Sequence, residues 1–493
     1  MFERPLSYDE VDYAHAAKTG IVTNALEKGS LNMIQFVNLA RVKAFGTITT
    51  ENDFIHSLPP EEGSPFNLRH FHPPLPVYFW SIVLSSFSSI DEGLKLKIGN
   101  LILLAALLVS AISVILALNR KSLSLGILFL ALFFSSDLVI KTYLQLNFHT
   151  FFTIGMLVFC ALAIRFARSA DRWSAILLGI AAGLLFVTLE TAVVVCSIAF
   201  LLGIKLNVGK KVERGVILLT ACSAILTFFI IWPGALKSGE PFRTWAIYVY
   251  RLFFQGNAEY QNVEVFRIWR ALIVENPIMF LLIAAGGVVC LVDLKRVRRS
   301  TKFVFLLGGL YSAFITPFAM STGYILPGIA TMFVGSTMAL LHLYYRTGSS
   351  KYIQYAFVGS TFVVLGLRFT ATDHPAKARQ ALADRTVLME LIELMEDAPE
   401  KDVYYMDGGH IANYYSEELN VRKLEMCSYA DPQFFERVNY RYTDRWPKIE
   451  AREYSAVIIG KERKYAPGTI QRLLNAGYMF EDKGRYHFYR LKE

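Results

Sequence analysis

Long apolar stretches separated by short polar loops run through the chain as far as residue 370. Several of these stretches contain no Asp, Glu, Lys or Arg: 98–118, 148–164, 173–189, 216–236, 278–292 and 303–345. A helix needs about 20 apolar residues to cross roughly 30 Å of hydrocarbon, and these stretches reach that length singly or in pairs. The pattern therefore predicts a polytopic α-helical membrane protein.

Two of the apolar stretches are too long for a single crossing. Residues 173–204 form one apolar stretch that is interrupted only by Glu190. A continuous helix over this stretch would measure about 48 Å, so a hairpin with Glu190 at its apex is predicted instead. The stretch 303–345 must also be two spans, with its break between Pro317 and Gly323. With these divisions about ten spans are predicted. They are 98–118, 122–140, 148–166, 173–189, 191–204, 215–233, 277–294, 303–319, 324–345 and 352–369.

The short loops between the spans form two sets that differ in charge. One set carries sixteen basic residues, whereas the opposite set, around 137–147, 190 and 320–323, carries only Lys141. By the positive-inside rule the basic set is cytoplasmic, so residues 1–97, loop 234–276 and the tail after 370 are predicted to face outward. The basic residues are Arg120, Lys121, Arg165, Arg168, Arg172, Lys205, Lys210, Lys211, Arg214, Lys295, Arg296, Arg298, Arg299, Lys302, Arg346 and Lys351.

Composition agrees with this interpretation. Of the 493 residues 54% are hydrophobic, and the mean hydropathy is +0.38, both above the range of soluble domains. A net charge of +9 would suggest a nucleic-acid partner in a soluble protein. Here the basic residues lie in short loops between spans, so we predict no nucleic-acid partner. The five cysteines show neither a disulfide framework nor a metal-binding spacing.

The tail changes character, which predicts three parts to the chain. Residues 1–97 form an external loop with juxtamembrane helices, 98–370 a transmembrane domain with external loop 234–276, and 371–493 an external soluble α/β domain. In the last part, 376–397 reads as an amphipathic helix, 403–406 and 456–459 as buried strands, and 467–476 as a helix that ends at Gly477.

Two short motifs precede the first span. Asp9 and Glu10 follow Ser7, and Ser7-x-x-Glu10 is a capping box that predicts a helix along 8–19. Starting that helix is one role for these acids, and a functional carboxylate is the other. The second motif is His72-Pro73-Pro74-Leu75-Pro76-Val77-Tyr78-Phe79-Trp80, whose prolines delay a helix and whose aromatic residues suit a membrane interface.

In their order and shared face, these motifs resemble the first external loop of the GT-C glycosyltransferases that use polyprenyl-phosphate sugars. The similar members are of the family 39 type, the protein O-mannosyltransferases and the lipid A aminoarabinose transferases, and the resemblance covers most of the chain. It implies a GT-C-like fold in the cell (inner) membrane. It also implies transfer of a sugar from a polyprenyl-phosphate donor to a lipid, glycan or protein acceptor on the outer face. The alternative is a protein that binds or transports lipid-linked saccharide without transfer.

The resemblance also implies roles for particular residues. Asp9, with Glu10, matches the functional acid pair. His72 stands where relatives carry Lys, and Tyr324 in Tyr324-Ile325-Leu326-Pro327 matches a tyrosine that helps to hold the lipid phosphate. Glu190 occupies an apex where relatives often carry Lys, so it is a candidate for substrate binding as well as a solvated apex residue.

Two further arginines come from the loop rather than from the resemblance. Residues 237–270 alternate basic and aromatic side chains, which predicts a pair of interfacial helices on the outer face. Arg243 or Arg251 would suit a phosphate group through bidentate hydrogen bonds, and an ordinary lipid-facing segment is the alternative.

The third span begins with the largest departure from the family pattern. Relatives commonly carry a second Asp there, whereas this chain has Asn147 and His149, with Asp137 on the same face. A polar residue that caps the span is the alternative to a metal ligand. No cofactor is certain, and a mixed His/Asp set would suit zinc better than Mg²⁺ or Mn²⁺. Relatives also have a span before the Asp-Glu loop, so we expect one to precede Asp9 in the complete product.

Overall fold

The structure is a computed structural model, and it describes sixteen stretches of the chain together with a few single residues between 359 and 393. The stretches are 8–18, 20–26, 73–86, 92–119, 123–134, 136–189, 191–206, 213–236, 265–292, 297–318, 322–346, 403–405, 424–426, 449–460, 468–483 and 486–492. Described residues 16–346 belong to one compact unit, a helical bundle. Residues 8–15 and the described residues of the C-terminal region belong to a second unit.

Fourteen α-helices with described bounds precede the C-terminal sheet. The first seven are α1 (Tyr8–Lys18), α2 (Ile21–Leu26), α3 (Leu75–Ser85), α4 (Glu92–Leu118), α5 (Leu123–Phe134), α6 (Asp137–Tyr143) and α7 (Phe148–Ser169). The next seven are α8 (Arg172–Phe186), α9 (Ala192–Lys205), α10 (Arg214–Ile231), α11 (Val265–Glu275), α12 (Pro277–Val292), α13 (Arg299–Ile315) and α14 (Thr322–Arg346). Two 3₁₀ turns, Pro233–Leu236 and Thr316–Phe318, follow α10 and α13.

Helices occupy the predicted spans that the structure describes, and the two predicted breaks are confirmed. Helix α8 ends at Phe186 and α9 begins at Ala192, and the turn Thr316–Phe318 precedes the start of α14 at Thr322. The predicted span 122–140 is divided at Ser136, which caps α6 by accepting a hydrogen bond from the Val139 N–H. Span 352–369 lies outside the described residues, apart from Gly359 in a helical conformation.

The predicted number of about ten spans is not confirmed. In the part of the chain that the structure describes, four helices are long and apolar enough to cross a membrane singly: α4, α7, α10 and α14. The number becomes five if α11 and α12, which meet at a 100° bend, are counted as one span. Helices α8 and α9, with 15 and 14 residues, are apolar but shorter.

Glycine allows the helices of the bundle to approach closely. A Cβ placed on Gly286 of α12 would lie 2.5 Å from the Cα of Ser336 in α14. The Ser336 hydroxyl donates a hydrogen bond to the Ile283 carbonyl, 3.2 Å away, at the same crossing. Small residues at such crossings bring backbones together, which is how helices associate in a membrane without a hydrophobic driving force.

Three of the predicted basic loops meet at one end of the bundle, as expected. The carbonyl of Leu118, the last residue of α4, accepts a hydrogen bond from Arg298 Nη1 at 2.9 Å. Arg168 Nη2, near the end of α7, contacts the same oxygen at 3.5 Å. We call the end defined by Leu118, Arg168 and Arg298 the basic end.

The C-terminal unit contains a five-stranded sheet in the order β2-β1-β3-β5-β4. Its strands are β1 (Val403–Tyr405), β2 (Leu424–Met426), β3 (Ala456–Gly460), β4 (Tyr478–Lys483) and β5 (Tyr486–Leu491). Strand β1 pairs in parallel with β2 and β3, while β5 pairs antiparallel with β3 and β4. An α/β fold was predicted for this region, and the sheet is consistent with it.

Helix α15 (Thr469–Asn475) covers part of this sheet. Leu473 packs in one core with Val457, Ile459 and Tyr489, and Gly477, at φ +94°, follows the helix as predicted. Strands β1 and β3 were predicted, whereas β2, β4 and β5 were not. The four described residues of the predicted helix 376–397, namely Thr386, Met389, Glu390 and Glu393, are helical.

The close crossing of α12 and α14 predicts opposite effects for two matched substitutions. Gly286→Ala places a methyl group against the backbone of Ser336 and is expected to cost about 1–3 kcal/mol through overpacking. Gly203→Ala in α9, where a Cβ meets nothing within 4 Å, should be neutral or stabilising by up to about 1 kcal/mol. Thermal unfolding of both variants in detergent checks this, and equal midpoints would contradict the described crossing.

Candidate functional site

The junction between α6 and α7 is held by the side chain of Asn147. Its Oδ1 accepts hydrogen bonds from the N–H groups of His149, at 2.9 Å, and Thr150, at 3.3 Å, and so caps α7. Its Nδ2 donates to the carbonyl of Thr142 at 2.9 Å. Both ends of the amide are therefore engaged, and the capping role weighed for Asn147 is the one the structure shows.

His149 lies two residues after Asn147, and its side chain contacts two aromatic rings. Its ring centroid is 4.1 Å from that of Phe148 and 4.6 Å from that of Tyr324, with the Tyr324 ring turned by 73°. The imidazole is buried. A Cβ on Gly323 would overlap the His149 ring, so glycine at this position makes room for the histidine. Two of the predicted site residues, distant in sequence, are thus in direct contact.

Helix α3 is tied at its start to two other helix ends. The Leu75 N–H donates to the Val187 carbonyl at 3.1 Å, just after α8. The Tyr78 hydroxyl donates to the carbonyl of Ile231, the last residue of α10, at 2.6 Å. Pro73 is the first described residue after His72, so the second sequence motif leads into this junction.

The same helix packs on α4 and α7. The Phe79 ring meets the Phe151 ring of α7 at a centroid distance of 5.3 Å. Trp80 is fully buried, and a Cβ on Gly99 of α4 would lie 2.5 Å from its indole ring. The aromatic residues Phe79 and Trp80 were predicted to lie along the membrane surface. The structure instead places them between helices.

The break between α8 and α9 carries a pair of hydroxyl groups that were not singled out in the sequence. Thr191 Oγ1 and the Tyr311 hydroxyl of α13 are 3.2 Å apart and both buried. Tyr311 also stacks against Phe152 of α7, with centroids 5.8 Å apart. The position of Thr191 next to Glu190 could have indicated it in the sequence, whereas Tyr311 lies in an apolar stretch that gave no such signal.

The bend between α11 and α12 is held by a further side-chain hydrogen bond. Trp269 Nε1 donates to Thr316 Oγ1 at 2.8 Å, which connects α11 to the turn after α13. Asn276 lies at the bend and is fully buried. Helix α11 has an exposed apolar side that includes Val274. Residues 265–270 of this helix fall in the stretch 237–270 that was predicted to form a pair of interfacial helices, and the rest of that stretch lies outside the described residues.

Helix α1 begins at Tyr8 as the capping box predicted, and it carries Asp9 and Glu10 in its first turn. Glu10 is buried, while the side chain of Asp9 lies outside the described part of the structure. The last turn of α1 is held within the helical bundle. Ser81 Oγ donates to the Ala17 carbonyl at 2.8 Å, and Asn24 Nδ2 donates to the Ala16 carbonyl at 2.7 Å.

Several predicted site residues lie outside the described residues, namely His72, Glu190, Arg243 and Arg251. Asp137 begins α6, but its side chain is not described. The described candidates within the bundle, Asn147, His149 and Tyr324, lie at one of its ends, which we define by Asn147, Val187 and Tyr324 and call the site end. Helix α7 runs from the site end to Arg168 at the basic end, over about 33 Å for its 22 residues.

A metal ion was a further expectation for the start of α7. Among the described residues no group of three or more His, Cys, Asp and Glu side chains is arranged to hold a metal ion. Asn147 is committed to the helix cap at both ends of its amide. His149 has an imidazole suited to zinc, and it contacts the rings of Phe148 and Tyr324. The described donors therefore do not by themselves form a metal site.

Comparisons with known proteins agree on the fold. No protein-family model and no curated protein matches the sequence. The structure of ArnT from Cupriavidus metallidurans in the apo state matches 99% of this chain and 94% of that one, at 13% identity and a TM-score of 0.58. The same protein bound to undecaprenyl phosphate matches the same shares at 13% identity and a TM-score of 0.53.

A second enzyme gives a similar match. AglB, the oligosaccharyltransferase of Archaeoglobus fulgidus, in complex with an inhibitory peptide and a dolichol-phosphate, has 11% identity and a TM-score of 0.52. The match covers 98% of this chain and 74% of that protein. Both ArnT and AglB have the GT-C fold, and at these identities the similarity shows that this chain shares that fold.

The Asn147 cap predicts an effect that an equivalent cap elsewhere should not have. Asp171 is the equivalent cap of α8, since it accepts a hydrogen bond from the Ser174 N–H at 2.8 Å. Asn147→Ala and Asp171→Ala should each lower the free energy of unfolding by about 1 kcal/mol. Only Asn147→Ala should also loosen the first turn of α7 and expose the buried His149. Labelling with diethyl pyrocarbonate, read by mass spectrometry, measures that exposure. Equal His149 labelling in the two variants would contradict the role given to Asn147.

Proposed function

We propose that this protein is a membrane glycosyltransferase that moves a sugar from a polyprenyl-phosphate donor to an acceptor. The observation that carries the proposal is the convergence at the site end of α3, the α8–α9 break, His149 and Tyr324 in a chain with the GT-C fold. Similar structures hold undecaprenyl phosphate in ArnT and dolichol-phosphate in AglB. Both are polyprenyl phosphates, which supports a donor of this class.

Glycosyl transfer from such a donor sets two chemical requirements. The hydroxyl group that receives the sugar needs a base that takes its proton, or a hydrogen-bonding group that orients it. The departing phosphate needs hydrogen-bond donors that offset its negative charge. We assign the first role to Asp9, with Glu10 beside it in the first turn of α1. A carboxylate in the first turn of a helix is attracted by the positive end of the helix dipole, which limits the positions it can take.

The second requirement is assigned to residues at the site end and in the adjacent loop. The His149 imidazole and the Tyr324 hydroxyl are both hydrogen-bond donors, and their rings are in contact. His72 and Glu190 are also assigned to donor binding. Their described neighbours in the chain, Pro73 and Thr191, lie at the site end, which supports this assignment. Arg243 and Arg251 would supply bidentate contacts to phosphate from the loop before α11.

The orientation of the protein is part of the proposal. The basic end carries the positive loops, and the positive-inside rule favours the cytoplasm for it. The site end would then face outward from the cell (inner) membrane, together with residues 1–97, loop 234–276 and the soluble domain 371–493. The acceptor would accordingly be a lipid, glycan or protein outside the cytoplasm.

One observation keeps a second function in view. Where the resemblance implies a second acid, this chain has Asn147 or His149, and the Asn147 side chain caps α7. A protein that binds or moves lipid-linked saccharide without transfer would not need that acid. Measuring sugar incorporation against lipid release from the same membranes separates the two functions, since a transporter releases lipid without incorporating sugar.

The assignment of Asp9 predicts a large loss from a substitution that hardly changes shape. Asp9→Asn removes the carboxylate and is expected to lower the rate of sugar transfer by about 10²-fold or more. The matched control is Asp12→Asn on the same helix, which removes an equal charge and should stay within about twofold of the wild type. Transfer is followed in membranes with a labelled lipid-linked sugar, and wild-type rates for Asp9→Asn would refute the assignment.

The donor set also predicts how transfer responds to metal ions. Cationic and hydrogen-bonding side chains alone can neutralise a monophosphate leaving group, so transfer should not depend on added Mg²⁺ or Mn²⁺. We expect activity in EDTA to stay near its initial level, or to be restored by zinc if it falls. Loss in EDTA with rescue by Mg²⁺ or Mn²⁺ but not by zinc would contradict this expectation.

A further inference from the structure

Two arginines from different spans share one backbone oxygen at the basic end. Arg298 Nη1 donates to the Leu118 carbonyl at 2.9 Å, and Arg168 Nη2 contacts that oxygen at 3.5 Å. Because both nitrogens approach the same atom, the two guanidinium groups must lie side by side. The contact brings together the end of α4, the end of α7 and the start of α13.

Capping α4 requires only one of these arginines. The bond from Arg298 has ordinary hydrogen-bond length, whereas the contact from Arg168 lies at the outer limit for one. Each guanidinium has five N–H donors and uses one of them here. Most of the donors of the pair therefore remain available to another acceptor.

The charge of the pair is not offset by the described protein. Of the residues that the structure describes, no carboxylate forms an ion pair with either Arg168 or Arg298. Arg298 also directly precedes α13, whose first turn contains no acid, and a cation at this end of a helix opposes the helix dipole. Like charges placed together at a positive helix end cost free energy, which an anion would recover.

The backbone next to the pair is well anchored. Val297, beside Arg298, is buried in a cluster with Cys290 and Ala339. Arg298 is the N-cap residue of α13, and its carbonyl accepts hydrogen bonds from the N–H groups of Thr301 and Lys302 at 2.9 and 3.2 Å. The position of the pair is thus set by packing in the bundle rather than by an exposed loop alone.

From this arrangement we propose that the Arg168–Arg298 pair binds the phosphate group of an anionic phospholipid. Both residues stand at the ends of apolar helices, which is the depth of the headgroups in a bilayer. Guanidinium groups suit phosphate oxygens because they donate in parallel pairs. A lipid held here would join α4, α7 and α13, so binding would stabilise the bundle. The inference is independent of the proposed catalytic function.

Thermal unfolding of the full-length protein in detergent tests the proposal, with phosphatidylglycerol, phosphatidylcholine or inorganic phosphate added at equal concentration. Phosphatidylglycerol should raise the unfolding midpoint of the wild type by several degrees, and the other two should have little effect. The double variant Arg168→Gln/Arg298→Gln should lose that shift. The matched control Arg172→Gln/Arg214→Gln removes the same charge from two exposed residues and should keep it.

Comparing shifts rather than absolute midpoints keeps a destabilised variant informative. If the double variant does not purify in a folded state, each single variant is titrated with phosphatidylglycerol instead. The concentration that gives half the shift should then rise by about tenfold, as expected for the loss of one charge-assisted hydrogen bond. No shift in the wild type, an equal shift with phosphatidylcholine or inorganic phosphate, or wild-type behaviour of the arginine variants would overturn the proposal.

Discussion

The constraint on which this bundle depends is that the last carbonyl groups of each helix must find hydrogen-bond donors. A helix leaves these groups without partners of its own, and a membrane interior offers no water to replace them. In this protein polar side chains from other parts of the chain supply the donors. They are Tyr78 to Ile231, Ser81 to Ala17, Asn24 to Ala16, Asn147 to Thr142, Thr150 to Tyr143 and Arg298 to Leu118.

These bonds also explain why the site lies where it does. Three of them, Tyr78 to Ile231, Asn147 to Thr142 and Thr150 to Tyr143, lie at the site end, so segments that carry candidate chemistry also close the bundle. Helix α3 illustrates this, since its hydrogen bonds to Val187 and Ile231 bring the Pro-Pro-Leu motif to the α8–α9 break. A substitution at such a position would change stability and function together. Matched variants of equal structural cost are therefore the informative comparison.

The polar residues at the start of α7 have a structural role in the bundle. The sequence resemblance predicted an acid in this segment, whereas the chain has Asn147 and His149, and Asn147 caps α7 and connects it to α6. The neighbouring histidine then packs between Phe148 and Tyr324 over a glycine. The chain thus shares the GT-C fold at 13% identity to ArnT, with a helix cap and a buried histidine at this corner.

The sequence by itself determined the class of the protein, because hydrophobic periodicity and loop charge are local properties. It predicted the membrane helices, the breaks near Glu190 and Pro317, the helix that carries Asp9, and the strands β1 and β3. It did not determine how many helices span the membrane, since the division of 122–140 at Ser136 depends on a cap and on packing. It also missed β2, β4 and β5, which owe their existence to pairing across the sheet.

Only the tertiary structure decided which candidate residues meet. His149 and Tyr324 are 175 positions apart in the sequence, and their contact depends on Gly323 leaving room for the imidazole. Spacing and composition did not indicate that Thr191 contacts Tyr311, or that Arg168 and Arg298 approach the same carbonyl oxygen. Contacts between distant segments depend on how helices cross, and crossing geometry follows from side-chain volumes on several helices at once. For that reason the sequence indicated the chemistry of this protein, while the packing of its helices decided where that chemistry is brought together.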